Sequence, residues 1–584
     1  MGQSSSLEDH RDSAKRIIST DHLIAEFYET CVKQYQTIEM ISFKANLKKF
    51  NKDLSSSVDI NEFISLLGIP EDKPQLADVL FRLVRALSRF PNISNFHSDI
   101  ISIDGLIIAM TLLNQERYHR ILTKEYDYKK LIFIALLGKS NEKSKMNDSV
   151  LETAYLDGYH NISWSNMPQV KQTFSRNEET IEASASDILY LISFLLTITR
   201  LDPTKSLKSF SKEFNELNRY KLHSLSILKA MNSSIRHDNI KTSTVSYRQF
   251  SEVIDRTAPN LLKPLSYFLD TLLFQFQDDS FKKVLNEKEN EQYTKKIEKN
   301  ENHTESASKM TDIEKKIDTC TLAQISTFLK HEIIYSSLRK LYIGSESGFS
   351  MRSLESKVFK WNAPTIILIK GSRISTNITN PRYKSLEEDY PKFNQPRLQS
   401  QSDSDKIVYG VYIDQPWRIT NKDYFGTENT LMFQLFPVQK VFKPTINAKN
   451  LIYFNTLGGG IGFGNNQPYL KNNTKKYYPG NVSLTIESAL EFAIFRNLGL
   501  GGSYRNLGVE ELNTEYEDRF LIRDVEVWGC GGTKEIEEQN KRWEWEQNEA
   551  KRRQAINLKS LGEDRAILEM AGIIGQYSQS GGSI

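Results

Sequence analysis

The chain has 584 residues, 39% hydrophobic and 26% charged, a composition for a globular protein of roughly two to four domains. Its 76 Lys and Arg against 73 Asp and Glu leave a formal charge of only +3, which lacks the basic footprint of a nucleic-acid binder. Three widely spaced cysteines, Cys31, Cys320 and Cys530, exclude a disulfide framework and suit a reducing, cytoplasmic compartment.

The first residues, Met1-Gly2-Gln3-Ser4-Ser5-Ser6, match the N-myristoylation pattern, with Gly2 as acceptor. One acyl chain binds membranes only marginally, so residence there needs a second contact. The alternative is a polar terminus that happens to start this way. Met1–Lys15 is polar and carries no secretory signal. Residues 1–19 are therefore expected to form a flexible N-terminus.

Residues 20–285 read as helical. Leu23, Phe27, Cys31 and Tyr35 recur every four residues, and Leu76, Val79, Leu80, Leu83, Val84 and Leu87 form an amphipathic stripe. Ile188–Ile198 is the longest apolar run, too short to span a bilayer and best read as a buried helix. Asn51–Glu62 resembles an EF-hand loop, with Val58 at the β-contact position and Glu62 at the twelfth, bidentate position. Asn51 replaces the usual aspartate, Ser55 is a weak ligand, and Ser56 stands where glycine makes the sharp turn. A degenerate structural helix pair is thus favoured over a calcium site. Ile101–Leu113 reads as the end of a second such unit. No fixed-period repeat is evident.

Residues 286–319, rich in Lys, Glu and Asn, read as a charged linker. A helix is expected next, burying Ile325, Leu329, Ile333, Ile334, Leu338 and Leu341. Beyond it the period changes to two. Strands are predicted at Thr365–Lys370, Ile407–Ile413, Leu431–Phe436, Val438–Phe442, Leu451–Phe454 and Val482–Ile486, and again over Phe520–Gly529. Val482, Leu484 and Ile486 alternate with Ser483 and Thr485, which predicts a half-buried strand. Ser372–Lys406 reads as a long exposed loop. After Gly532 a charged helical extension, residues 533–584, carries Trp543, Trp545 and the apolar residues of Ile556–Ile574. It either docks on the sheet or binds a partner.

Chemistry is sparse. From Glu332 onward there is no histidine, and Cys530 is the one cysteine. This segment cannot build a Ser-His-Asp triad or a Cys/His zinc site from its own residues. The cluster Gly458, Gly459, Gly460, Gly462 and Gly464 lacks the lysine and following helix of a phosphate loop. It reads instead as a structural sheet turn. Glu510–Glu511 and Glu515–Glu517 are expected on a solvated face. Glu526, beside Trp528 and Gly529, is expected to be a buried carboxylate bonded to backbone. No catalytic residue, metal ligand or cofactor site is assigned.

Tyr342–Gly348 with Phe349–Leu354, Ala363–Ile369, Gly410–Tyr412, Pro416-Trp417, Tyr424–Thr427, Leu431–Phe433, the glycine cluster and Val525–Gly529 occur in an order that resembles the TLDc domain family. The resemblance covers residues 320–532, with 372–406 as an insertion. It implies an α+β protein in which a β-sandwich flanked by helices follows the helical, degenerate EF-hand-like region. It also implies a non-enzymatic binding role at the peripheral sector of the vacuolar-type proton ATPase, influencing its assembly. The wider family is associated with oxidative-stress resistance, and fungal members with telomere capping. A monomer on the cytosolic face of the vacuole membrane, tethered through Gly2, is the expectation. The rival readings are an enzyme whose site lies between the domains, with His97 or His119 reaching the sheet, and a calcium-responsive switch through Asn51–Glu62.

Overall fold

The computed structural model describes residues 20–50, 52–53, 56–93, 99–137, 163–199, 214, 216–275, 318–330, 338–374, 380–392, 405–471, 474–499, 501–507 and 515–531, with parts of a helix between 537 and 553. The expectations placed on Gly2, Asn51, Ser55, His97, Glu510, Glu511, Trp543 and the segments 286–317 and 554–584 fall outside these residues.

The N-terminal unit is helical, as its periodicity requires. Helix α1 (Thr20–Val32) buries Leu23, Phe27 and Cys31. Four helix–strand–helix units follow. The first is α2 (Thr37–Lys48), β1 (Ser57–Val58) and α3 (Ile60–Leu67). The second is α4 (Pro74–Leu87), β2 (Ile101–Ser102) and α5 (Ile103–Leu113). After α6 (Gln115–Ile121) and α7 (Tyr128–Leu136) come α8 (Pro168–Phe174), β3 (Glu182–Ser184) and α9 (Ala185–Ile198). The last unit is α10 (Leu217–Met231), β4 (Thr244–Ser246) and α11 (Tyr247–Thr257), with α12 (Lys263–Phe274) beyond it.

The short strands pair antiparallel two by two, Val58 opposite Ile101 and Ala183 opposite Val245. Asp59, Ser102 and Ser246 then cap the exiting helices by accepting the N–H of Glu62, Gly105 and Gln249, a bond that satisfies an orphan helix donor. The first two units match the sequence expectation. The third and fourth are found only in the structure, because loops of unequal length hide their kinship. Helix α9 is buried along most of its length, as the apolar run predicts.

The C-terminal unit is an 11-stranded antiparallel sheet. Its longer helices include α13 (Thr319–Ser326), α14 (Met351–Val358) and α15 (Pro381–Asp389). Its strands are β5 (Leu338–Ile343), β6 (Thr365–Arg373), β7 (Lys406–Ile413), β8 (Leu431–Phe436), β9 (Lys440–Pro444), β10 (Ile452–Asn455) and β11 (Gly460–Phe463). A separate hairpin, β12 (Asn466–Lys471) and β13 (Thr474–Tyr478), precedes β14 (Val482–Ile486), β15 (Phe492–Asn497), β16 (Tyr504–Asn506) and the long β17 (Tyr516–Cys530).

The sheet order is β10-β11-β14-β15-β17-β6-β7-β8-β9-β16, with β5 alongside the second half of β17. The sheet curls so that strands far apart in this order meet. Phe442 on β9 lies 5.1 Å from Phe495 on β15. The two layers of the expected sandwich are therefore two parts of one continuous sheet, and the α+β class stands.

Alternation along β6 feeds two cores. Ile367 and Ile369 face the inside of the curl, while Ile366 and Leu368 pack outward with Leu322, Ile325 and Leu329. This explains three departures from expectation. Val482–Ile486 is buried on both faces, including Ser483 and Thr485, because a second layer covers it. Part of that cover is α15, a helix inside the stretch Ser372–Lys406 for which a long exposed loop is predicted, with 375–379 and 393–404 outside the described residues. It buries Tyr383 and Leu386, with Tyr390 just beyond its end, against Phe492 and Ile494. And the expected helix through Leu341 ends at Ser326, since Leu338 and Leu341 lie on β5, paired to β17, while Ile333 and Ile334 fall outside the described residues.

Candidate functional site

The glycine cluster forms the β10–β11 turn and the start of β11. Asn455 Oδ1 accepts the N–H of Leu457 and Gly459 and closes the turn. Gly458, Gly460 and Gly464 have positive φ, which side chains disfavour. Gly462 lies against the Tyr453 ring, where a Cβ would approach to 2.2 Å. These are structural glycines, as the sequence context indicates.

The Val525–Gly529 motif is likewise absorbed by packing. Glu526 is buried, but its partners are side chains rather than backbone: Lys370 on one oxygen and the Trp528 indole N–H on the other, at 3.1 Å. At Gly529 a Cβ would come within 2.5 Å of the Trp361 ring. Glu517 overturns the expectation of a solvated face. Its side chain is fully buried between Arg496 and Arg519, at 2.6 and 2.7 Å.

The EF-hand-like loop holds a cation of its own. In a calcium loop the seventh residue offers its carbonyl and the twelfth its carboxylate. Here those groups are Ser57 O and Glu62 Oε1, and the Lys52 ammonium contacts both, at 2.9 and 2.6 Å. Glu62 Oε2 also accepts the Asp59 N–H. The pairing with Lys52 and this bond together hold the Glu62 carboxyl below its ordinary range.

The densest buried polar network joins the helical unit to the sheet. Gln439, after β8, donates to Thr257 O and Thr327 Oγ1, both at 3.0 Å. Gln324 on α13 donates to Gln439 Oε1 at 3.0 Å and Leu435 O at 3.2 Å. Ser226 on α10 donates to the same Leu435 carbonyl. Gln324 Oε1 is then 2.7 Å from His223 Nδ1, and the His223 ring meets Phe436 edge-on at 4.8 Å.

His223 Nε2 lies 3.4 Å from Asp318, and Cys320 is close by. Burial raises the Asp318 carboxyl, but hydrogen bonding and charge from His223 outweigh it and hold the group below its usual range. Burial, helped by the Asp318 charge, pushes the Cys320 thiol up to about 11. Among the described residues, the histidine that reaches the sheet is therefore His223. His119 sits instead against Tyr118 on α6, 5.1 Å between rings. Nothing local marks His223, Gln324 or Gln439 in the sequence, because their partners are about a hundred positions away.

Residues 310–531 match the TLDc domain. Across its whole length the chain is 39% identical to "Restriction of telomere capping protein 5" of Komagataella phaffii, over 612 residues with 100% of both chains covered. It is 38% identical, also over 100% of both chains, to the protein of that name from Saccharomyces cerevisiae, and 36% over 98% of both to that from Zygosaccharomyces rouxii.

The chain belongs to the restriction of telomere capping protein 5 family of TLDc proteins.

Since the TLDc match starts at 310, α13 is part of that domain, although its Cys320 and Ala323 pack in the helical unit's core. The seam is thus built by this TLDc protein's own domain reaching into the helices. No described helix is long and apolar enough to cross a membrane.

Proposed function

We propose that the protein is a non-enzymatic regulator that binds the peripheral sector of a vacuolar-type proton ATPase and influences pump assembly. Its N-terminus, acylated at Gly2, concentrates it at the cytosolic face of the vacuole membrane. The observation that carries this reading is the use of the motif residues. Glu526, Trp528, Gly529 and the glycine cluster are all consumed by packing and turns, which leaves the TLDc surface, rather than a reactive group from these residues, to carry a function. On that surface Ile419 and Leu457 are 45% and 69% exposed. Their loops are tied together by Asn421 bonding to Thr456.

The relatives are named for restriction of telomere capping, and a binding regulator can affect that process at a distance by shifting an assembly equilibrium through differential affinity alone. The test is to add purified protein to assembled pump and follow sector release against protein concentration. Stoichiometric, nucleotide-independent release, weakened by truncation after Gly532, supports the reading. Turnover from catalytic traces overturns it in favour of an enzyme, and absence of binding removes the pump as partner. Gly2→Ala should move membrane-associated protein to the cytosolic pool, and an intact mass lacking the acyl increment refutes the tether.

A further inference from the structure

The geometry points to a zinc site made by His223, Asp318 and Cys320 at the seam between the helical unit and the TLDc domain.

Hydrogen-bond direction fixes how the buried amides face one another. The Thr257 carbonyl can only accept, so the Gln439 nitrogen must face it. The Gln439 oxygen then faces the Gln324 nitrogen, whose other partner, Leu435 O, is also an acceptor. The Gln324 oxygen is thereby aimed at His223 Nδ1, 2.7 Å away, and that nitrogen must carry the proton. A metal-binding histidine characteristically donates its second ring N–H to such an oxygen, which fixes ring and tautomer. The other nitrogen, Nε2, faces Asp318.

Nε2 and the carboxylate Oδ2 are 3.4 Å apart. A proton shared there would draw them to about 2.7–2.9 Å, the span of a charge-assisted hydrogen bond. With zinc bonds of about 2.0–2.1 Å to nitrogen and oxygen, a tetrahedral edge is roughly 3.3 Å, close to the observed separation. One ligand atom from each of His223, Asp318 and Cys320 lies within 4.8 Å of the other two. A Zn–S bond of about 2.3 Å asks for edges near 3.6 Å, so closing the site takes at most a shift on the order of 1 Å.

The set of one imidazole, one carboxylate and one thiol suits zinc better than calcium or magnesium. His223 and Cys320 are buried, while the Asp318 side chain is 38% exposed and gives access to a fourth, water-filled position. Arg219 lies 3.6 Å from the other Asp318 oxygen, Oδ1, while Oδ2 accepts the Thr321 hydroxyl at 3.0 Å and keeps a second lone pair for the metal. On binding, the thiol proton passes to solvent and a Zn–S bond forms. The ion would pin α10 to α13.

The full-length protein should be stripped with chelator, then titrated with Zn²⁺ against a chromophoric competitor, and separately with Co²⁺. One equivalent is expected, together with a near-ultraviolet thiolate-to-cobalt absorption. Cys320→Ser should abolish that absorption, whereas Cys530→Ser should keep it. His223→Gln and the more exposed Asp318→Asn should each weaken zinc by roughly 10- to 100-fold, with circular dichroism confirming that each variant is folded. The inference is overturned if folded wild type takes up no stoichiometric zinc at micromolar free metal, if the cobalt band survives Cys320→Ser, or if NMR of the metal-free and zinc-treated protein shows the same doubly protonated His223.

Discussion

Gly460→Ala isolates the reason for the glycine cluster. Gly460 has φ +74°, and a Cβ there would lie 2.1 Å from Ile486 O, 2.8 Å from Glu487 C and 2.9 Å from Ser488 N. All three are backbone atoms, at the end of the ladder in which Ile461 opposes Ile486. No rotamer change can relieve the clash, so β11 must move away from β14. Left-handed strain costs about 1–2 kcal/mol and overpacking about 1–3 kcal/mol. The sum is roughly 2–5 kcal/mol, which at about 2–4 °C per kcal/mol for a domain of this size lowers the melting temperature by on the order of 10 °C. Gly458 is the internal control, because it also has positive φ, +107°, but nothing lies within 4 Å of its Cβ. Gly458→Ala should therefore show only the strain, a few degrees. Calorimetry of the full-length protein separates the two, following the transition that shifts. If both variants shift equally, the close approach to β14 is not what selects glycine at 460.

Glu517→Ala should lower stability by about 3–5 kcal/mol, since it leaves two buried guanidinium groups without their shared carboxylate; a urea midpoint that barely moves would show that Arg496 and Arg519 find other partners. The unaltered protein should give no calorimetric response to calcium, because Lys52 already contacts Ser57 O and Glu62; micromolar binding would refute this. Lys52→Ala should cost no more than about 1 kcal/mol, as the Glu62 side chain is 42% exposed. Leu457→Asp should leave the melting temperature unchanged, its side chain being mostly in solvent, while weakening pump-sector binding at least tenfold; full binding by the variant would remove this edge from the interface.

Local patterning carried much of the architecture. The four-residue spacing of Leu23, Phe27 and Cys31 and the stripe from Leu76 to Leu87 follow directly from 3.6 residues per turn, and all these side chains are buried. The strands at 365–373, 406–413 and 431–436 were readable because alternation has a period of two. The role of the glycines was legible too, since the residues after Gly464 exclude a phosphate loop. Asn380 before Pro381, then Tyr383, Leu386 and Tyr390, is also a local signal, a capped helix with one apolar face.

What tertiary structure alone decided is how many faces each element buries and which distant residues meet. Val482–Ile486 carries the alternation of a half-buried strand, yet both faces are covered, and alternation cannot report a second layer supplied by α15. Glu517 looks like one more surface acid until the β15–β17 register sets Arg496 beside it. Lys52 looks like a solvated lysine until the loop wraps its ammonium between Ser57 and Glu62. His223 and Gln324 are 101 positions apart, joined because α13 packs on the sheet with one face and on the helical unit with the other. Contacts of that separation leave no periodic trace, since hydrogen bonds and ion pairs depend on where atoms end up in space, whereas spacing in the sequence records only the face each residue takes on its own helix or strand.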